Sequence, residues 1–156
     1  MSQHTALGGP RWFLGSRMTV VATGADTGGA YGLMIQEARR GFSPPLHLHH
    51  HEDDAYLVLE GELTFRLDGA DRRVGRGEHV FLPRGLAHTF RVDSDTARWI
   101  ELVTPAGVEA WHHECSDPAV HDGLPPDAPI DIERVVRTIG PYGVEIVGPP
   151  LEPGAR

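Results

Sequence analysis

Short alternating apolar stretches, punctuated by glycine and proline, confine this chain to an all-β fold. Its 19 glycines and 13 prolines fall mostly between those stretches, where they mark turns. Strands are expected near residues 18–23, 31–37, 46–50, 55–60, 62–67, 79–81, 88–92 and 98–103. A spacing of about eight to twelve residues is the pattern of a β-sandwich or barrel. In 62–67 the alternation is plain: Leu63, Phe65 and Leu67 share one face, and Glu62, Thr64 and Arg66 the other. Gly61 and Asp68-Gly69 supply the tight turns on either side. Residues 106–114 and 130–139 are expected as helices. In the second, Ile132, Val135, Val136 and Ile139 make an apolar stripe that Gly140-Pro141 ends. One domain is expected over 1–156, with its core at about 15–105 and a helical, proline-rich extension over 106–156.

The net charge of −8, from 22 acidic and 14 basic residues, disfavours nucleic acid and anionic membrane as partners. No apolar run approaches a membrane span. Residues 1–7 carry neither a charged n-region nor an apolar h-region, so no signal peptide is expected. The lone Cys115 excludes an internal disulfide and fits a reducing compartment. A cytoplasmic location is the expectation.

Chemistry concentrates in the histidines. His47 and His49 are two apart in an expected strand, so their side chains leave the same face, roughly 6.6 Å apart along it. Two apolar β segments then separate the pair from His88, a spacing that lets antiparallel strands bring both ends together. Neutral imidazoles suit Zn, Cu, Fe and Ni, and a carboxylate would complete a mixed N and O site. Asp54 is placed for that role after one tight reversal, as ligand or as catalytic base. Glu52 and Asp53 rank below it because both fall in the turn, as does His51. Strand parity puts Tyr56 and Val58 beyond Asp54 on the inward face, Phe90 beyond His88, and Phe65 inward from its own strand. Phe42 and Trp99 are expected near the mouth of the resulting pocket. His112-His113-Glu114-Cys115 has no i,i+4 histidine pair and is expected on a surface helix rather than at a second metal.

Gly41, five residues, His47-Leu48-His49, four residues, Asp54, six residues and Gly61 resemble the first cupin motif. Gly77, five residues, Pro83-Arg84-Gly85, two residues and His88 resemble the second. The likeness extends through Gly15-Ser16, Thr27-Gly28-Gly29, Tyr56 to Glu62 and Tyr142 to Pro150. In these the chain is similar to the small single-domain cupins named after quercetin 2,3-dioxygenase. Two positions depart from the pattern: Asp54 stands where the family has glutamate, and Val92 where it has asparagine.

The resemblance implies a jelly roll with one or two short C-terminal helices and one divalent ion (Fe, Mn, Ni, Co, Cu or Zn) on His47, His49, His88 and Asp54. It also implies a dioxygenase or other oxygenase acting on a small enolic or aromatic molecule, flavonol-like or polyketide-like, with dioxygen as co-substrate. In quercetin dioxygenases the glutamate takes the substrate's hydroxyl proton, so its replacement by Asp54 bears on the substrate. A non-redox isomerase, cyclase or lyase on the same site is the alternative, and a small-molecule-binding module without catalysis a third. Cupins often pair through sheet edges, which makes a homodimer the expected assembly.

Overall fold

The long strands alternate buried and accessible residues, and two antiparallel sheets stack on the buried faces. This computed structural model describes residues 8–154; residues 1–7, with the stretch scanned for a signal peptide, lie outside the described residues. In chain order the strands are β1 (Arg11–Phe13), β2 (Ser16–Ala22), β3 (Gly32–Arg39), β4 (Leu46–His49), β5 (Asp53–Glu60) and β6 (Glu62–Leu67). They continue as β7 (Ala70–Gly75), β8 (His79–Leu82), β9 (His88–Val92), β10 (Thr96–Thr104), β11 (Ser116–Pro118) and β12 (Val144–Gly148). The helices are α1 (Gly24–Thr27), α2 (Val108–Glu114) and α3 (Ile132–Ile139).

One sheet runs β11-β1-β2-β3-β10-β5-β8 and the other β12-β4-β9-β6-β7. All eight expected strands are present, joined by β1, β7, β11 and β12. The β5–β6 reversal turns on Gly61 at φ 81°, where a side chain would strike Thr96 O and Ser94 Oγ. Asp68 and Gly69, both at positive φ, close the β6–β7 hairpin.

Two apolar clusters fill the space between the sheets. The first gathers Val58, Leu63, Phe65, Val74, Leu82, Val92 and Trp99. The second holds Met18, Met34 and Val103 against α2 and α3 through Val108, Trp111, Cys115, Val135 and Ile139. Helix α2 is therefore part of the core rather than a surface helix, because Val108, Trp111, His112 and Cys115 recur at i, i+3, i+4 and i+7 and are all buried. On α3 only half of the expected stripe is inside: Val135 and Ile139 are buried, while Ile132 and Val136 face solvent.

Between the clusters the inward positions turn polar. On β3, Gln36 sits between Met34 and Ala38; on the neighbouring β10, Glu101 sits between Trp99 and Val103. That polar seam positions the site.

Candidate metal centre

β4 is held between two strands that fix its histidines. His47 lies directly opposite His88 on β9, and on the other side Val144 and Ile146 of β12 face His49 and His47. The ring centroids are 4.5 Å apart for His47 and His88, 5.2 Å for His47 and His49, and 5.4 Å for His49 and His88. One nitrogen from each ring lies within 4.8 Å of the others, close enough for the three to share one ion.

Two of the three rings are held from behind by a backbone carbonyl. His47 Nδ1 lies 2.7 Å from Pro45 O, and His88 Nδ1 lies 3.3 Å from Leu86 O. A carbonyl oxygen only accepts, so these Nδ1 atoms carry the proton and leave each Nε2 its lone pair. That tautomer is the one a metal needs, and such outer contacts orient ligating histidines. His49 Nδ1 instead faces the buried Glu52, 3.7 Å from Oε2. Glu52 thus stands behind a ring, away from the point where the three meet.

Asp54 is 1% exposed, and its Oδ2 lies 3.3 Å from His49 Nε2 and 3.6 Å from His88 Nε2. Neither carboxylate oxygen has a hydrogen-bond partner, and neither has His88 Nε2. Burying a carboxylate whose oxygens make no hydrogen bond costs several kcal/mol, by order of magnitude. A divalent cation at this point meets all of those unpaired atoms at once, so the donor set of three imidazoles and one carboxylate fits a metal. Burial, together with the neighbouring His88 and His49, holds the His47 imidazole well below the usual histidine range, which keeps it neutral. At His49 burial pulls the same way, but the carboxylates of Asp54 and Glu52 outweigh it and raise the ring.

Above this centre lies a cavity between the two core clusters. Phe42, Tyr56 and Phe90 line one side, and Phe13, Trp111 and Ile139 the other. The cavity volume is about 50 Å³. At ~10–15 Å³ per water that is room for roughly four. Val58, Phe65 and Trp99, the other expected wall residues, pack in the first core cluster behind the lining. His50 is exposed and pairs with Glu145 at 3.0 Å, Asp53 pairs with Arg84, and His51 packs on Gly143 in the turn.

Among the polar lining residues, Gln36 and Glu101 went unnoticed in the sequence, and His112, expected on a surface helix, faces the cavity instead. Gln36 Nε2 donates to Glu101 Oε2 at 2.5 Å, and Ser16 Oγ donates to Gln36 Oε1 at 2.8 Å. Tyr56 lies opposite Glu101 in the β5–β10 register, and His112 Nε2 lies 3.6 Å from Glu101 Oε1. Burial pushes the Glu101 carboxyl above the ordinary carboxylate range, with Asp54 adding to it and His112 opposing. Burial likewise drives the Tyr56 phenol well up, and the charges of Glu101 and Asp54 act in the same direction.

A profile of the Cupin domain family matches residues 34–113, which contain all four candidate ligands. A quercetin 2,3-dioxygenase of Bacillus subtilis (strain 168) is 28% identical over 127 residues, covering 81% of this chain. The chain spans 38% of that relative's length. Among solved structures, an RmlC-like cupin from Shewanella frigidimarina NCIMB 400 superposes with a TM-score of 0.58 at 18% identity, over 67% of this chain and 93% of that one. KdgF from a Halomonas species does so with a TM-score of 0.56 at 21% identity, over 62% and 84%. At these identities the two structures speak to the fold.

Proposed function

The chain belongs to the cupin family, and on that premise we propose that it is a metal-dependent oxygenase of a small, largely apolar enol or phenol. The observation that carries this reading is the meeting of three imidazoles and an unpaired buried carboxylate beside an apolar cavity. Similarity to a quercetin 2,3-dioxygenase over most of the chain supports the reaction class. A bound divalent ion would supply Lewis acidity for an ionised substrate oxygen and, if redox-active, a site for dioxygen chemistry.

The chain's own residues do the rest. His47, His49, His88 and Asp54 would hold the ion, with Pro45 O and Leu86 O aiming the rings of His47 and His88. Phe42, Tyr56 and Phe90 grip an apolar substrate and exclude water. The narrow cavity favours a substrate of about one ring over a three-ring flavonol.

Elemental analysis of protein purified without added metal, followed by oxygen-electrode assays on small enols, tests the proposal. Metal near one per chain and oxygen consumed with product are the expected results. Equal product formation in anaerobic buffer would instead establish the second reading, a non-redox isomerase, cyclase or lyase. Glu101 and His112 in the cavity wall favour that reading, since both are acid–base groups.

A homodimer belongs to the same proposal. On the outer face of the larger sheet, Leu33, Ile35, Ile100, Leu102, Leu57 and Phe81 are all partly accessible, with Phe81 51% exposed. A one-sided antiparallel sheet ordinarily turns polar residues outward, as the smaller sheet does with Thr64, Arg66 and Arg91. Each copy carries −8, so association is opposed except across an apolar patch such as the middle of this face, which Arg17, Glu37, Arg39 and Arg98 flank. Sedimentation should show a dimer that Phe81→Asp converts to monomer. A wild type that is monomeric at high micromolar concentration removes the dimer from the proposal.

No helix among the described residues is long and apolar enough to cross a membrane.

A further inference from the structure

We propose that Glu101 is the proton acceptor for the substrate, and that the substrate presents an acidic O–H to this carboxylate from the metal centre. The inference rests on the metal-site reading above and adds a residue that the motif does not contain.

Asp54 is the obvious base by position, but its geometry commits it elsewhere. Its Oδ2 is turned to the Nε2 atoms of His49 and His88, at 3.3 and 3.6 Å. A carboxylate held by a cation is a weaker base than a free one, and the Asp54 side chain is one bond shorter than the glutamate that takes the proton in quercetin dioxygenases. Among the described residues, the other buried carboxylates are Glu52 and Glu109 as well as Glu101. Glu52 stands behind His49. Glu109 accepts from the backbone N–H groups of Gly24 and Gly107, which makes it a structural brace. Glu101 remains, and it lines the cavity.

Its register places it well. On β10, Val103 pairs with Asp54 and Glu101 with Tyr56, so Glu101 lies one inward step along the strand from the level of the ligand. That step is roughly 6.6 Å, a distance one small molecule spans. The carboxylate is fixed by the Gln36 amide, a donor that favours its ionised form. It also has a route for passing the proton on. His112 Nδ1 faces Val108 O at 2.9 Å and must donate to it, which leaves Nε2 as the ring atom turned to Glu101 Oε1. Burial raises the carboxyl above its usual range, so it holds a proton better than an exposed glutamate would.

In the step itself the substrate's O–H bond breaks, its electron pair stays on the substrate oxygen, and a new O–H bond forms on the Glu101 carboxylate. No oxidant is consumed. The substrate class follows: a small enol or hydroxy-ketone with an apolar remainder. The same step serves an oxygenase or an isomerase.

The test uses the whole chain loaded with zinc, which excludes redox turnover, and maltol as the probe, a one-ring hydroxy-ketone that binds metals as its anion. Calorimetric titration near neutral pH in two buffers of different ionisation enthalpy counts the protons released. Wild type should release close to none, because Glu101 keeps the proton, whereas Glu101→Gln should release about one per maltol bound. The infrared difference spectrum of wild type alone should show a carboxylate band replaced by a carboxylic-acid carbonyl, which needs no variant to fold. Equal proton release by wild type and Glu101→Gln, or no new acid carbonyl in wild type, overturns the role of Glu101 while leaving the metal centre standing. A wild type that takes up no zinc removes both together.

Discussion

His88→Ala should cost the protein its metal while leaving it folded. His88 is 1% exposed and sits opposite His47 on the adjacent strand, and its Nε2 has no hydrogen-bond partner. In the metal-free protein that nitrogen contributes little to stability, since an unpaired buried polar atom is a cost rather than a gain. With metal bound it is one of four donors. Outer contacts to ligating histidines are worth about 10- to 100-fold in metal affinity, so removal of the ligand itself should exceed ~100-fold, or about 2.7 kcal/mol. Chelator competition and metal content check the affinity, and thermal unfolding of both metal-free proteins checks the fold. Added metal should raise the midpoint of the wild type and barely move that of the variant. Full metal occupancy in a folded His88→Ala protein would remove the site.

This contrast also explains which parts of the molecule could be read from its residues. The His47 and His49 pair was legible because strand parity, a property of local sequence, sends both rings to one face, and His88 was legible from the spacing of the two apolar segments between. The four additional strands were not, for different reasons. β7 reads Ala-Asp-Arg-Arg-Val-Gly and has one buried residue, Val74, so a lone apolar position gave no alternation to detect. β12 owes its place to β4, whose outer edge it completes, and that pairing joins segments about a hundred residues apart.

Glu101 and Gln36 were missed and His112 was placed on a surface helix, although a signal for all three exists. Gln36 and Glu101 both occupy inward parity in strands whose other inward residues are Met34 and Ala38, or Trp99 and Val103. A polar residue where the pattern demands an apolar one carries a desolvation cost that something must offset. His112 shares the buried face of α2 with Val108, Trp111 and Cys115, a helical stripe hidden by attention to the adjacent histidine. What parity does not supply is depth along the strand. Tyr56, Val58, Phe65, Phe90 and Trp99 all point inward, yet only Tyr56 and Phe90 reach the cavity. The division depends on how far the two sheets are held apart at each level, which is a property of the assembled sandwich.

Trp99 turns that distinction into the largest expected loss of stability. It is fully buried on β10, paired with Gln36 of β3 on one side and Val58 of β5 on the other. Its ring meets Phe90 edge-on at 5.2 Å and lies near-parallel to Phe42 at 6.5 Å, so it supports two cavity walls from behind. Trp99→Ala should therefore lower unfolding free energy by about 3–5 kcal/mol, the range for truncating a buried aromatic. For a domain of this length the midpoint should fall by about 2–4 °C per kcal/mol. Urea denaturation of the metal-free protein measures the loss directly, and a change below ~1 kcal/mol would mean that the ring is not core. Because Trp99 touches none of the four ligands in the register, the fraction that remains folded should bind metal as the wild type does. A parallel collapse of metal affinity would show instead that Phe42 and Phe90 transmit the packing defect to the histidines.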